Sequence, residues 1–354
     1  MKKVAIICGG RSSEHEISCV SARGVLSAID RTKFIPILIG ITEQGNWILL
    51  DENDPFTVGS DGLPHVPPAG QMLIVDVHGS KKSDGTTMDI DLAFPLLHGA
   101  YGEDGTIQGL FEMANIPYVG SGVLASAVAM DKTFAKPIYA DFGLAVAEGF
   151  TVHRRDWRAN QTLEIAKIAA LGFPLFVKPA RSGSSRGTSK VKDLASIAPA
   201  IEEAHKHDPR AMVEVAIVGR EIECAVLEVD GVAKPSVLGE IRVHESHEFY
   251  DFEAKYLDNS TTFDVPAEIP SHVSSVIQEA AVTAFTALGC EGLARVDFFL
   301  TPQNKVIINE LNTMPGFTEK SVFPILWQAS GKSYTEIITQ LCMSALTREK
   351  GVVR

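Results

Sequence analysis

The stretch from Arg295 to Ser321, RVDFFLTPQNKVIINELNTMPGFTEKS, constrains the chain more than any other. Two apolar runs, Val296–Leu300 and Val306–Ile308, flank the polar turn signal Thr301-Pro302-Gln303-Asn304, and the pattern reads as a β-hairpin. Side chains alternate faces along a strand, so Arg295 and Asp297 share a face, as do Glu310 and Asn312. A register that pairs Asp297 with Glu310 also pairs Arg295 with Asn312, which puts four polar groups on one patch. Like charges directly opposite one another destabilise a sheet, and a cation between them removes that cost. Asp, Glu and Asn offer only hard oxygens, which suit Mg²⁺; that ion usually fills its remaining positions with water and phosphate oxygens. The plainer reading is a solvated hairpin face. Against it stands the sequel, Met314-Pro315-Gly316, a turn that stops the strand and exposes backbone N–H groups beside the patch.

The 354 residues suffice for two or three domains with their own cores. The opening apolar run, Val4–Cys8, is too short for a signal peptide, and no stretch reaches the length of a membrane span. Five scattered cysteines without CxxC spacing read as core thiols. A cytoplasmic location without membrane contact is expected. The net charge of −12 argues against a nucleic-acid partner but not against an anionic substrate, since local lysines can outvote it.

Lys3–Cys8 reads as a buried parallel strand, Gly9–Ser13 as a tight loop, and the segment from about Glu14 as a helix. Strand, Gly-rich turn and helix open a doubly wound sheet, where ligands bind. The loop is neither GxGxxG nor a P-loop, so a dinucleotide is not expected. Glu14 either serves the helix dipole or meets a substrate. Further strands are expected at Phe34–Ile41, Asn46–Leu50, Met72–Val77 and Leu92–Leu97, with a loop over Asp51–Gly70. His98-Gly99-Ala100-Tyr101-Gly102-Glu103-Asp104-Gly105 then marks a binding loop at a strand end. Helices follow at Thr106–Asn115 and Val123–Met130.

A new unit begins near Asp131-Lys132. Pro174–Val177 is an apolar strand ending in Lys178-Pro179. The next segment, Ala180–Thr188, is rich in Ser, Gly and Arg and leads into Ser189–Val191. This reads as a β-loop-β flap whose N–H and hydroxyl donors close over phosphate oxygens. Strands Met212–Val218 and Glu221–Val229 set an apolar backbone, Val215-Ala216-Ile217, between Glu214 and Glu221. Such a segment suits an adenine ring and a ribose. Glu240 to Phe263 is long, polar and aromatic, and reads as a lid loop. An amphipathic helix, Val273–Leu288, precedes the hairpin, and helices at Val322–Ala329 and Tyr334–Leu346 follow it.

Taken together, Lys178, the flap, Glu214…Glu221 and the Asp297/Glu310/Asn312 face resemble an ATP-grasp ligase. The motifs Gly9-Gly10-x-Ser12-x-Glu14-x-Glu16-x-Ser18, His98-Gly99…Gly102-Glu103-Asp104-Gly105, Gly183-Ser184-Ser185, Ala254-Lys255-Tyr256 and Glu310-x-Asn312-Thr313-x-Pro315-Gly316 are, in this order, similar to those of the D-alanine–D-alanine ligase family. The resemblance covers the chain from Val4 to about Leu346. It implies an α/β (α+β) fold of three ATP-grasp domains: an N-terminal doubly wound parallel-sheet domain for substrate at 1–120, a central domain at 121–211, and a C-terminal domain with hairpin and lid at 212–354.

The resemblance also implies roles. Lys132 and Lys178 would hold the ATP phosphates, with Ser185 in the flap; Glu214, the Val215–Ile217 backbone and Glu221 would bind adenine and ribose, with Phe299 as a wall. Asp297, Glu310 and Asn312 would hold two Mg²⁺ (or Mn²⁺) ions. Glu14 would bind the first D-alanine's ammonium, linked through Ser184 to Tyr256, with His98 near its carboxylate. Arg295 and the Gly316 N–H would stabilise the oxyanion, and Lys255 and Ser321 would bind the second D-alanine's carboxylate. The expected assembly is a homodimer working in peptidoglycan precursor synthesis. One departure is Arg186, where the family usually has a small apolar residue. A D-lactate-using depsipeptide ligase is the rival on the same fold, and Tyr256 speaks against it. A non-catalytic nucleotide sensor is the rival from another class; it predicts the loss of a metal ligand or of Arg295, and both are kept.

Overall fold

The computed structural model describes residues 1–53, 55–60, 62–183, 186–243 and 261–348. The first unit runs β1 (Lys2–Gly9), α1 (His15–Ala28), β2 (Phe34–Ile41), β3 (Trp47–Leu49), β4 (Thr57–Val58), β5 (Pro64–His65), β6 (Gln71–Asp76), β7 (Gly79–Lys82), β8 (Leu92–Pro95) and α2 (Thr106–Ala114). β1 is an unbroken apolar run because both its faces are covered. Val4, Ile6 and Cys8 cluster with Cys19 and Val25 of α1, whereas Ala5 and Ile7 cluster with Ile107 and Phe111 of α2. β1 pairs in parallel with β2 and β8, and the sheet order is β7-β6-β3-β2-β1-β8. β3, β6 and β7 extend this doubly wound centre as antiparallel strands. The stretch 51–70, expected as loop, contains the small β4–β5 pair. Because β1 and β8 run in parallel side by side, the loops that follow them emerge at the same edge.

α3 (Val123–Met130) and α4 (Lys132–Asp141) come next. α4 is a helix the sequence reading did not assign. Asp131 starts it, its Oδ1 accepting the Thr133 N–H at 3.1 Å. Ala125, Ala129, Ala135 and Tyr139 of this pair bury themselves with the strands of the C-terminal sheet. Four strands form an antiparallel sheet in the order β11-β10-β12-β9: β9 (Gly149–His153), β10 (Leu175–Pro179), β11 (Ser189–Val191) and β12 (Arg210–Val215). Helix Ile197–His207 covers this sheet with Ile197, Ile201 and Ala204, spaced for one helical face.

The last sheet, β15-β14-β13-β16-β17, is also antiparallel. It comprises β13 (Arg220–Val229), β14 (Val232–Val243), β15 (Thr261–Asp264), β16 (Leu293–Leu300) and β17 (Val306–Asn312). The lid-loop expectation over Glu240–Phe263 is corrected at both ends, because Glu240–Val243 pair with Thr261–Asp264 in a ladder. β14 escapes a periodicity search because Pro235 and Gly239 interrupt it. Pro235 lies where the β13–β14 register shifts, and there the Ser236 Oγ accepts the Ala225 N–H at 3.0 Å in place of a backbone partner. At Gly239 a Cβ would meet Leu326 at 2.9 Å, so glycine lets helix Val322–Ala329 lie close to the strand. Glu240 is clasped by Arg220 from the neighbouring strand at 2.8 and 2.6 Å. Helices Val322–Ala329 and Tyr334–Thr347 share a core with α1, and the Tyr334 hydroxyl donates to the Phe317 carbonyl at 2.7 Å. The turn after the hairpin is thereby fixed to the N-terminal unit.

Candidate active site

The two antiparallel sheets enclose a cavity of about 360 Å³ whose lining includes Lys132, Lys178, Glu214, Ile217, Phe299 and Glu310. The hairpin has the register its alternation predicts: Arg295 opposite Asn312 and Asp297 opposite Glu310. Asn304 closes the turn at φ 59°, a conformation that Asn tolerates. On the other side of β16, Asp297 also stands opposite Glu223. Three carboxylates therefore lie in a row across three strands. The Arg295 Nε and Nη2 donate to Asp297 at 2.8 and 2.7 Å, and its Nε lies 3.1 Å from Glu223 Oε1. The Asn312 amide donates to Asp297 at 3.2 Å.

The cations come from the opposite side of the cleft. Lys132, in the first turn of α4, reaches Glu310 at 2.9 Å and the Ser182 carbonyl at 3.1 Å. Lys178, at the end of β10, pairs with Glu214 and reaches Asn309 Oδ1 at 3.4 Å. The register slips between Asp297 and Phe298, so Asn309 falls outside the ladder and its side chain meets Lys178. Glu214 takes a second partner, Lys136, at 2.6 Å. Burial pushes the Glu214 carboxyl up, but Lys178 and Lys136 more than reverse this and hold it at about 2. Val215, Ala216 and Ile217 run along the cavity with Glu221, and Phe299 stands opposite Glu221 in the ladder.

An oxygen-only row of three carboxylates, answered by one guanidinium and one lysine, fits a hard divalent cation. Here Asp297 turns to Arg295 and Glu310 to Lys132. Among the described residues, the one trio of ionisable side chains with ligand atoms within 4.8 Å of each other lies elsewhere, at Glu16, Glu43 and His65.

At the edge of the first sheet, Glu14 is buried at the start of α1 but does not cap the helix with its side chain. Its carboxylate lies against two glycines: a Cβ would sit 2.8 Å away at Gly99 and 3.2 Å away at Gly183. The strand-end loop and the flap thus meet over Glu14. His98 is buried and spends both ring nitrogens on the protein, Nδ1 on the Met314 carbonyl at 3.1 Å and Nε2 on the Ser21 hydroxyl at 3.2 Å. Burial lowers its pKa. Glu103 accepts the Gly99 N–H at 2.6 Å, and burial followed by the charge of Glu14 pushes it up to about 8. Gly316 lies within 3.2 Å of Ser321 Oγ by the same Cβ measure. That hydroxyl bonds Thr318 at both its N–H (3.0 Å) and its Oγ1 (2.8 Å). Ser184, Ser185, Lys255 and Tyr256 lie outside the described residues. Arg186 is exposed.

Sequence reasoning missed Lys136, Glu223 and Asn309, and it quoted Glu103 in the strand-end loop without giving it a role. Two of them carried a usable signal. Lys136 is four residues after Lys132 and so shares its helical face, and Glu223 is two after Glu221 and so shares its strand face. Asn309 had none, because a bulge is a property of the pair of strands.

Two family models match the chain: D-ala D-ala ligase N-terminus over residues 3–121 and D-ala D-ala ligase C-terminus over residues 138–343. The chain is 46% identical to the D-alanine–D-alanine ligase of Paenarthrobacter aurescens, covering 99% of this chain and 96% of that one. It is 47% identical to that of Nocardia farcinica, covering 99% and 98%. Among solved structures, the VanG D-Ala:D-Ser ligase of Enterococcus faecalis superposes with a TM-score of 0.85 at 38% identity, covering 97% of this chain and 99% of that one. The D-alanine-D-alanine ligase from Coxiella burnetii gives 0.83 at 35%, covering 98% and 95%.

Proposed function

This chain belongs to the D-alanine–D-alanine ligase family, and from its site we infer that it uses ATP to join two D-alanine molecules into D-alanyl-D-alanine, the dipeptide of peptidoglycan precursors. The observation that carries the reading is the single cleft in which Lys132 and Lys178 face the row Glu223–Asp297–Glu310, with Glu14 held at the edge of the neighbouring sheet.

A carboxylate is a poor electrophile. Transfer of the ATP γ-phosphoryl group to the first D-alanine makes an acyl phosphate, the amine of the second D-alanine attacks it, and phosphate leaves. Lys132 and Lys178 bind the phosphates and meet the charge of the transferring group. Glu214, the Val215–Ile217 backbone, Glu221 and Phe299 hold adenosine. Asp297, Glu310 and Asn312 hold two Mg²⁺ (or Mn²⁺) ions, which supply charge neutralisation on the phosphates. Glu14 takes the first ammonium. Arg295 and the Gly316 N–H receive the tetrahedral oxyanion, where one such donor is worth about 3 kcal/mol. His98, expected near the first carboxylate, has both ring nitrogens engaged by Met314 and Ser21, so its role there is read as indirect, through Met314, two residues before Gly316. Ser184, Ser185, Lys255 and Tyr256 keep the roles the family resemblance assigns them, and Ser321 is assigned with Lys255 to the second carboxylate.

We propose a division into units at 1–120, 121–211 and 212–354; the second boundary falls inside β12 (Arg210–Val215), whose pairing with β10 and β9 keeps residues 212–215 in the central sheet. No helix among the described residues is long and apolar enough to cross a membrane. We place the enzyme in the cytoplasm and expect a homodimer, which light scattering tests. The deciding experiment is incubation with ATP, Mg²⁺ and D-alanine, with D-serine and D-lactate in competition, followed by mass analysis. The dipeptide should dominate. Absence of any ATP-dependent product, or a dominant depsipeptide, would overturn the reading.

A further inference from the structure

Lys136 is a buried cation that the reaction as described does not use. It lies on α4 one turn after Lys132, with its side chain 5% exposed, and its ammonium is 2.6 Å from Glu214 Oε2. The other oxygen of Glu214 takes Lys178. One buried carboxylate therefore answers two buried lysines. Lys132, Lys178 and Glu214 line the cavity, but Lys136 does not. Burial pulls the Lys136 ammonium down from its ordinary value, the pull of Glu214 raises it, and the repulsion of Lys178 lowers it again. Two cations on one carboxylate are costly unless one of them is destined for another anion.

We propose that Lys136 is a positioning residue that keeps Glu214 neutralised when Lys178 leaves it for the phosphates of the incoming nucleotide. The inference rests on the ATP reading of the cleft. In this structure Lys178 is engaged by Glu214 and Asn309. Turning it to a phosphate removes a partner from a carboxylate that is buried and charged. Breaking a buried pair by removing one partner is strongly unfavourable. Lys136 makes the exchange cheap, because it stays on Oε2 from behind the cavity wall while Lys178 moves. Without Lys136, Glu214 and the nucleotide compete for the same ammonium, and Glu214 becomes an inhibitory contact.

The test compares Lys136→Met and Lys136→Arg with the parent in calorimetric titrations with ATP, and with adenosine as a competitor of ATP. Adenosine has no phosphate for Lys178 to reach. The expected result is that Lys136→Met weakens ATP binding about tenfold or more, leaves adenosine within twofold, and is rescued by Lys136→Arg. Lys136→Gln supplies the same comparison should the methionine be poorly tolerated. Unchanged ATP affinity in Lys136→Met overturns the inference. Equal weakening of ATP and adenosine also overturns it, because that is what loss of packing alone produces. A parent protein that binds no ATP overturns the nucleotide reading itself and is thereby distinguished from the other two outcomes.

Discussion

Asp297 stands directly opposite Glu310 across the β16–β17 ladder, and the neighbour of Asp297 on its other side is Glu223. Sheets avoid like charges in this position. The arrangement persists because Arg295 bonds Asp297 through two nitrogens and Lys132 takes Glu310. Removing either carboxylate should relieve repulsion and leave the fold standing while taking a ligand from the proposed metal site. Asp297→Asn and Glu310→Gln are expected to lower turnover by about a hundredfold or more with an unchanged circular dichroism spectrum. Near-parental turnover at ordinary Mg²⁺ concentration in either variant would remove the metal assignment.

Lys178 is 12% exposed at the mouth of the flap. Lys178→Ala removes the cation proposed to face the phosphates and is expected to weaken ATP binding about tenfold or more, measured by calorimetry. Unchanged affinity together with unchanged activity would make Lys178 structural.

Gly99 adopts φ +73°, and a Cβ there would lie 2.8 Å from a Glu14 oxygen. Gly99→Ala should cost roughly 1–2 kcal/mol of stability for the left-handed backbone. It should also push the Glu14 carboxylate out of place. The expected kinetic signature is a KM for D-alanine raised about tenfold with the KM for ATP within twofold. A rise confined to ATP would place Glu14 away from the amino-acid site.

Glu103 is raised from its ordinary carboxylate value to about 8 by burial and by Glu14. Between those two values the folded protein holds a proton that the unfolded chain has released. Stability contributed by this group therefore falls as pH rises through that window and levels off above about 8. Glu103→Gln cannot ionise and still offers an oxygen to the Gly99 N–H. Relative to the variant, the parent should lose several degrees of Tm between about pH 5 and pH 8. Parallel Tm curves across that range would show that Glu103 is already ionised.

Alternation along two short strands was enough to put Arg295, Asp297, Glu310 and Asn312 on one face, because a one-residue slip would have turned Val296 and Phe298 out of the core; the bulge at Asn309 was not legible. Likewise β1 announced itself as a strand covered on both faces by having no polar position from Val4 to Cys8. These features are local: a strand's faces are set by its own sequence. The sequence was silent or misleading where two segments decide together. The end of β14, Glu240–Val243, was taken for part of a lid because a long polar, aromatic run starts there; Pro235 and Gly239 hide the rest of the strand, and only β13, Ser236 and the close approach of Leu326 explain why a strand tolerates them. Lys136 is an ordinary helical lysine until the fold brings α4 within reach of Glu214 on β12, where burial leaves it that carboxylate as its counterion. Glu14 could have served its own helix; instead its carboxylate lies against Gly99 of the strand-end loop and Gly183 of the flap. Residue types and spacings determined which groups were available and which way they face. Which of them meet was decided by tertiary packing, because the free energy of burying a charge depends on what a distant segment brings to it.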